Sequence, residues 1–316
     1  MRNLLLRLVR LVVVVAIVSF LTFLLLEAAP GDPAVTRAGL NASPEVLAEI
    51  RAELGLDDPL HVRYARWVGD AARGDLGESY RTADVSASTL VRTALPKTLE
   101  LMLLSQLMAL AFAIPMAVIS ARRPGGVVDR LSSAIAFAFV AIPAFVIGIY
   151  LTYLFAVQRQ WLPAVATDLP SFTSDPLENL RQLFLPALTL ALTLVAVYLR
   201  LLRTDMVETL QQDYILLAQA RGIPQRRLMW RHALRPSTLN LVTAVGLNTG
   251  ALIGGALVIE ILFAIPGMGR LVVDAIFAED YIVLQAAVLV FTVGYVIVNF
   301  VVDLVYYALD PRIRHA

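Results

Sequence analysis

The chain contains no cysteine, only three histidines, and charged residues at just 16% of its 316 positions. The missing cysteine excludes disulfide frameworks, thiolate metal sites and thiol nucleophiles, and leaves the redox compartment open. His61, His232 and His315 are scattered, with no His-x-x-x-His or His-Glu pairing, so no metal site is expected. A formal charge of +1 gives no reason to expect a nucleic-acid partner. No phosphate-cradling G-x-x-x-x-G-K-[ST] loop, paired carboxylates or nucleophile elbow occurs, so neither catalysis nor a resident cofactor is expected. What fills the space is apolar: 59% of residues are hydrophobic and the mean hydropathy is +0.74, values of an integral membrane protein.

Six apolar blocks approach the roughly 20 residues needed to cross a bilayer. They run from Leu5 to Leu26, Thr98 to Ser120, Leu131 to Val157, Leu183 to Leu202, Leu239 to Phe263 and Val283 to Ala308. The first follows Arg2, Arg7 and Arg10 and precedes Glu27, Ala28 and Ala29, a pattern shared by cleaved signal peptides; its length and the five blocks behind it favour a retained anchor. Pro115 and Pro143 are expected to interrupt the second and third spans.

Lys and Arg in the short loops set the orientation. With the N-terminus cytoplasmic, Arg122, Arg123, Arg130, the arginines from Arg200 to Arg235, Arg312 and Arg314 all lie inside, and both termini are cytoplasmic. The loop from Ala28 to Lys97 then lies outside, and its acidic residues outnumber its basic ones. Ser43 and Pro44 open a helix there, with Val46, Leu47, Ile50 and Leu54 on one face and Gly55 as its stop. Asp58 and Pro59 open a second, with Leu60, Tyr64, Trp67, Val68 and Ala71 on a stripe, ended by Gly74. This segment reads as a lid on the outer helix ends, or as a platform for an extracytoplasmic partner.

Between the fourth and fifth blocks lies DYILLAQARGIPQRRLMWRHALRP, from Asp213 to Pro236, a basic amphipathic stretch with a central glycine. Gly222 suits the left-handed cap that ends one helix, Pro224 opens a second, and Pro236 is expected to stop it. A helix, sharp turn and helix on the cytoplasmic side suits the groove of a soluble partner. In the fifth span Gly246, Gly250 and Gly254 form a smooth strip, open to packing within the chain or to a seam with a second subunit. Glu100, Glu260 and Asp303 sit near span ends, which argues against a proton relay, and Asp303 is expected to pair with Arg200 or Arg203. IPGMGRLVVDAIFAEDY, from Ile265 to Tyr281, reads as a short helix at the outer mouth, with Pro266, Gly267, Gly269 and Arg270 as gate candidates.

Further markers are PGDP at Pro30 to Pro33, LGLDDP at Leu54 to Pro59, GDLG at Gly74 to Gly77, LPKTLEL at Leu95 to Leu101, HALRP at His232 to Pro236, IPGMGR at Ile265 to Arg270, Asp280-Tyr281, and VDLVYYALDPRIR at Val302 to Arg314. In this order and spacing they resemble the B-type membrane permease subunit of a peptide-branch (dipeptide, oligopeptide or nickel) type I ABC importer. The resemblance covers nearly the whole chain. It implies an all-α permease fold of six transmembrane helices, with a helical extracytoplasmic lid between helices 1 and 2. Residues 1–27 would be the tail and first helix, 28–97 the lid, and 98–316 a five-helix core with a cytoplasmic coupling loop at 204–238. Asp213, Tyr214, Ala218, Ala220, Arg221, Gly222, Ile223, His232 and Arg235 would form the ATPase coupling element. Leu216 and Leu217 stand where a glutamate and an alanine are usual, and Pro236 where an asparagine is frequent.

The implied partners are a second homologous permease in a heterodimer, one or two ABC ATPases that bind ATP and Mg, and an extracytoplasmic solute-binding protein. The implied function is ATP-driven import, with peptides as cargo and nickel, haem or another small solute as alternatives. A secondary transporter of small solutes is the competing class; it would ordinarily show inverted repeats and a midplane ion site.

Overall fold

The computed structural model describes residues 2–28, 32–39, 42–81 and 85–309. Pro30 and Gly31 of PGDP, residues 310–316 and the side chain of Asp303 lie outside the described residues. The chain is helical, and among the described residues the sole β feature is an isolated antiparallel bridge between Glu78 and Ser86. The helices are α1 (Arg2–Glu27), α2 (Pro33–Ala38), α3 (Pro44–Leu54), α4 (Leu60–Ala72), α5 (Ala87–Arg122), α6 (Val127–Ala141) and α7 (Ala144–Leu151), which runs into a π-helical turn at Thr152–Gln158. Then come α8 (Pro176–Leu210), α9 (Asp213–Ala220), α10 (Gln225–Arg227) with a π-helical turn at Leu228–Ala233, α11 (Leu234–Leu262), α12 (Met268–Phe277) and α13 (Tyr281–Leu309).

Among the described residues, four helices are long and apolar enough to cross a membrane: the stretches Val9–Glu27, Ala87–Arg122, Pro176–Leu210 and Tyr281–Val302. Two bent pairs bring the number to six when each is taken as one span. Pro143 breaks the third span outright: α6 stops at Ala141, α7 restarts at Ala144, and the two differ in direction by 104°. Pro115, expected to interrupt the second span, does not, because α5 continues unbroken to Arg122. A proline inside a membrane helix is tolerated where neighbours meet the freed carbonyl.

Two compact units are drawn from non-contiguous stretches, one from residues up to Thr98 with Pro266–Ile297, the other from Leu99–Ile265 with the chain from Val298 on. The linear division into 1–27, 28–97 and 98–316 therefore separates segments that fold together. In the first unit Thr98 Oγ1 accepts a hydrogen bond from Met268 N, the first N–H of α12 (2.8 Å), and Asp280 accepts one from Ser79 Oγ. Leu76, Ala87, Val91 and Ala94 share a core with Met268, Ala275, Val283, Ala286 and Ala287.

Within residues 28–97, the ends of α3 follow their sequence signals. Ser43 Oγ caps Val46 N, Pro44 takes the first helical position, and Gly55 sits at φ +60 with Leu56 N bonded to Arg51 O, a Schellman ending of α3. Asp58, expected to open α4, is instead turned to Arg66; α4 starts at Leu60 with no side-chain cap. The α4 stripe lies along α1, where the Tyr64 ring meets Phe20 and Phe23 edge-on at 5.1 and 5.5 Å. Tyr64 also shares a hydrogen bond with Ser19 Oγ (2.8 Å), and Arg63 pairs with Glu27 (2.7 Å).

In the second unit the core is built from α5, α6, α7, α8 and α11, dominated by small and branched side chains around Tyr198, Leu185, Leu202 and Ile259. Small residues permit the close backbone approach on which packing between membrane helices rests. Gly148 of α7 shows it, since an added Cβ would stand 2.8 Å from Leu262 Cδ2 and 3.2 Å from Thr189 Cγ2.

Candidate functional site

The glycine-centred segment is a self-contained helix–turn–helix. α9 ends at Ala220, and Gly222 takes φ +74. Gly222 N donates to Gln219 O (2.9 Å) and Ile223 N to Ala218 O (3.2 Å), the two bonds of a Schellman turn. Ile215, Ala218 and Leu228 are buried together, with Ile223 and Leu210 packed against them. That small core folds α9 back onto the π-helical turn at Leu228–Ala233.

This packing sorts the nine candidate residues. Ala218, expected at the docking surface, points into the local core and is 8% exposed. Ile223 is half-buried beside it. Asp213, Tyr214, Ala220, Arg221, Gly222 and Arg235 are exposed. So are Leu216 and Leu217, each 53% exposed, which sequence reading treated only as departures from a pattern. On a helix carrying Ile215 and Ala218 inward, the 100° step per residue turns 216 and 217 outward, so the signal was present. Arginines 221, 226, 227, 231 and 235 of the same segment are also exposed.

Pro236 does not stop the second helix. It occupies the third position of α11, which continues to Leu262. A proline there cannot donate to the carbonyl four residues back, that of His232, and the wider turn just before it absorbs the mismatch. The Tyr214 hydroxyl donates to His232 O (3.5 Å), and burial pushes the Tyr214 phenol above its ordinary pKa. His232 Nε2 is shielded and has no hydrogen-bond partner among the described residues. Of the 204–238 stretch, residues through Leu210 extend α8, and Thr209 Oγ1 meets Ser237 Oγ at 2.9 Å across the root of the segment.

Behind the root, polar side chains tie the helices together. Arg203 makes a bidentate pair with Asp129 of α6, Nε to Oδ1 at 2.8 Å and Nη2 to Oδ2 at 2.6 Å, and Asp129 also accepts from Gly125 N (2.7 Å). Arg203 is thus engaged by Asp129, a partner that sequence reading missed; its expected alternative, the Asp303 side chain, lies outside the described residues. Arg200 lines a crevice between α6 and α8 with Ser132 and Phe137. Deeper, the Gln106 amide of α5 donates to Thr249 Oγ1 (2.9 Å) and Val245 O (3.3 Å) of α11 and accepts from Tyr198 of α8 (2.8 Å). Of the glycine strip, Gly246 lies against Val302 of α13, while Gly254 faces open space; Gly250 is half-buried between them on α11.

Residues 113–315 match the family described as binding-protein-dependent transport system inner membrane component, and residues 1–102 match its N-terminal counterpart. The chain belongs to this family. A probable peptide ABC transporter permease of Sinorhizobium fredii is 37% identical over 292 residues, covering 92% of each chain. A glutathione transport system permease of Escherichia coli K12 (36%) and an oligopeptide transport system permease of Bacillus subtilis (35%) match over the same length and coverage. Among solved structures, an inward-facing form of the MetNI methionine ABC transporter matches with a TM-score of 0.58 and 16% identity, over 70% of this chain and 97% of that one. The chain is therefore an ABC-importer permease in fold, a multi-pass membrane protein whose relatives are pathway subunits.

In this permease the gate candidates cluster around α12. Gly267 is its N-cap, Gly269 is buried in its first turn, and Arg270 stands 3.5 Å from Asp274 one turn on. Pro266 follows the end of α11, where Ala264 takes φ +54 and Ile265 N bonds back to Glu260 O. Asp280, quoted from sequence only as a family marker, caps Val283 N of α13 (3.4 Å) and accepts from Tyr80 N (3.3 Å).

Proposed function

We propose that this permease moves peptides inward across the cytoplasmic membrane, with Asp213–Arg235 as the cytoplasmic element that receives force from a separate ABC ATPase. The observation that carries the reading is the Schellman turn at Gly222 with its private core, which leaves Tyr214, Leu216, Leu217 and Ala220 exposed on a segment that also exposes five arginines. Apolar side chains on a rigid knob seat in a groove, and the arginines fix its angle. Both termini lie on the cytoplasmic side. A second, homologous permease completes the pathway as a heterodimer, one or two ATPase subunits bind ATP and Mg, and a solute-binding protein delivers cargo to the outer face.

Peptides are the cargo class because relatives covering 92% of the chain are named for peptide, oligopeptide and glutathione transport. ATP-driven closure of the ATPases would swing the knobs, and the helices rooted in them would exchange inward-open for outward-open arrangements.

Gly222→Val tests the dock. An added Cβ would meet nothing within 4 Å, so the variant is challenged through its φ of +74 alone. A left-handed conformation costs an ordinary L-residue about 1–2 kcal/mol, and a β-branched one more. In the reconstituted complex Gly222→Val should retain ATP hydrolysis and lose transport, whereas Gly222→Asn should keep both. Normal transport by the valine variant would refute the role assigned to the turn.

A further inference from the structure

Within the second unit a crevice of about 180 Å³ opens between α6 and α8. Its walls include Ser133, Phe137 and Val140 of α6 and Val197, Arg200 and Arg203 of α8. The Asp129–Arg203 pair ties the two helices at one end, and from there each wall turns from polar to apolar. On α6 Phe137 and Val140 lie one and two turns beyond Ser133, and on α8 Val197 lies a turn before Arg200. At about 1.5 Å per residue the α6 wall from Ser133 to Val140 is about 10 Å long. Phe137, Val140 and Val197 are exposed. The crevice is smaller than the roughly 300–1,000 Å³ of sites that enclose a small molecule, and suits a slender apolar chain lying along it.

The polar end offers donors and no acceptor of its own charge. Arg200 is exposed, and its guanidinium makes no ion pair among the described residues. Arg203 spends Nε and Nη2 on Asp129 and keeps Nη1 uncommitted, on a side chain 28% exposed. The Ser133 hydroxyl has no partner among the described residues, whereas Ser132 is spent on Asp129 O (3.1 Å) and Thr204 on Arg200 O (2.9 Å). No carboxylate lines the crevice. With Asp129 behind Arg203, the two guanidiniums leave a formal excess of one positive charge, and the exposed Arg130 stands one turn before Ser133.

These features select a ligand with an anionic head and an apolar tail. Free phosphate would meet the donors and leave Phe137, Val140 and Val197 bare. A zwitterionic phospholipid would fill both ends, but its cationic group finds no carboxylate in the crevice. We infer that the crevice holds an anionic phospholipid, its phosphate at Arg200, Arg203 Nη1 and Ser133, and a stretch of one acyl chain along Phe137, Val140 and Val197. Basic pockets between membrane helices take such headgroups. The inference needs only a bilayer around these helices, which the family supplies, and does not depend on cargo or ATPase. On the orientation proposed above, the lipid belongs to the cytoplasmic leaflet.

The test is native mass spectrometry of the full chain in detergent, titrated with phosphatidylglycerol and with phosphatidylcholine, reading the binding constant of the first lipid. Phosphatidylglycerol should bind at least about fivefold more tightly. Arg200→Gln should weaken it by about fivefold, and Arg200→Lys, which keeps the charge, by less than about twofold. Arg122→Gln removes an exposed arginine outside the crevice and should also change it by less than about twofold. Val197→Phe fills the slot from an exposed position and should weaken it by about fourfold. Equal constants for the two lipids would overturn the inference. Equal losses in Arg200→Gln and Arg122→Gln would show diffuse surface attraction in its place, and indifference to Val197→Phe would show a headgroup contact without a seated chain. The complete complex should keep the preference; its loss there would assign this face to the second permease and overturn the lipid site.

Discussion

Replacing Gln106 with leucine isolates the polar tie at the centre of the helical core. The side chain is 7% exposed and makes three hydrogen bonds, to Thr249, to Val245 O and from Tyr198. Leucine fills similar volume, so the loss is polar. Thr249 keeps its own bond to Val245 O at 2.8 Å. The Tyr198 hydroxyl, fully buried, loses its acceptor. The cost is therefore one orphaned hydroxyl and the bonds forgone, about 1–3 kcal/mol by analogy with soluble proteins. Double-mutant cycles within a membrane protein average nearer about 0.6, with a maximum of about 1.7, so about 1–2 kcal/mol is expected here. Tyr198→Phe alone should cost about 1 kcal/mol, and the double variant should cost less than the sum of the two by about 1 kcal/mol, because it leaves no orphan. Steric-trap or detergent-driven unfolding in bicelles reads all three differences. Additivity within about 0.3 kcal/mol would show that the two side chains do not share the tie drawn between them.

Asp129→Asn keeps the shape but weakens the bidentate grip on Arg203, and should lower unfolding stability by about 1–3 kcal/mol in the same assay. Gly148→Val should cost about 1–3 kcal/mol through its clash with Leu262, whereas Gly294→Ala on α13, where a Cβ meets nothing within 4 Å, should be neutral or stabilising by up to about 1 kcal/mol. Equal effects at the two glycines would remove the packing argument. Asp280→Ala strips the cap from α13 together with the acceptor for Tyr80 N and Ser79, and should cost about 1–2 kcal/mol and speed hydrogen exchange at residues 79–80 and 281–283.

Features governed by near neighbours were legible in the sequence. Ser43, Pro44 and Gly55 mark the ends of α3, and Gly222 marks the turn, because capping depends on a few adjacent residues. The proline readings divided on context. Pro143 follows α6 at a true break, whereas Pro115 and Pro236 sit within continuous helices, and only neighbouring helices decide whether a freed carbonyl is met. The partners of Gln106 and Arg203, and Ser79 and Tyr80 as partners of Asp280, lie 74 to 201 residues away in sequence, beyond the reach of any periodicity. Within the docking segment, helical phase alone would have turned Ala218 inward and Leu216 and Leu217 outward. The family pattern drew attention to Ala218 instead.

The hydroxyl pair between Thr209 and Ser237 closes the neck of the docking segment. On the function proposed above, with both legs joined by this hydrogen bond where the knob begins, a push on Leu216 or Leu217 would reach α8 and α11 together, as a torque on the two legs. The stroke of an ATPase would then be geared by the distance from the exposed leucines to that clasp, and loosening it would make the stroke slack without weakening the grip.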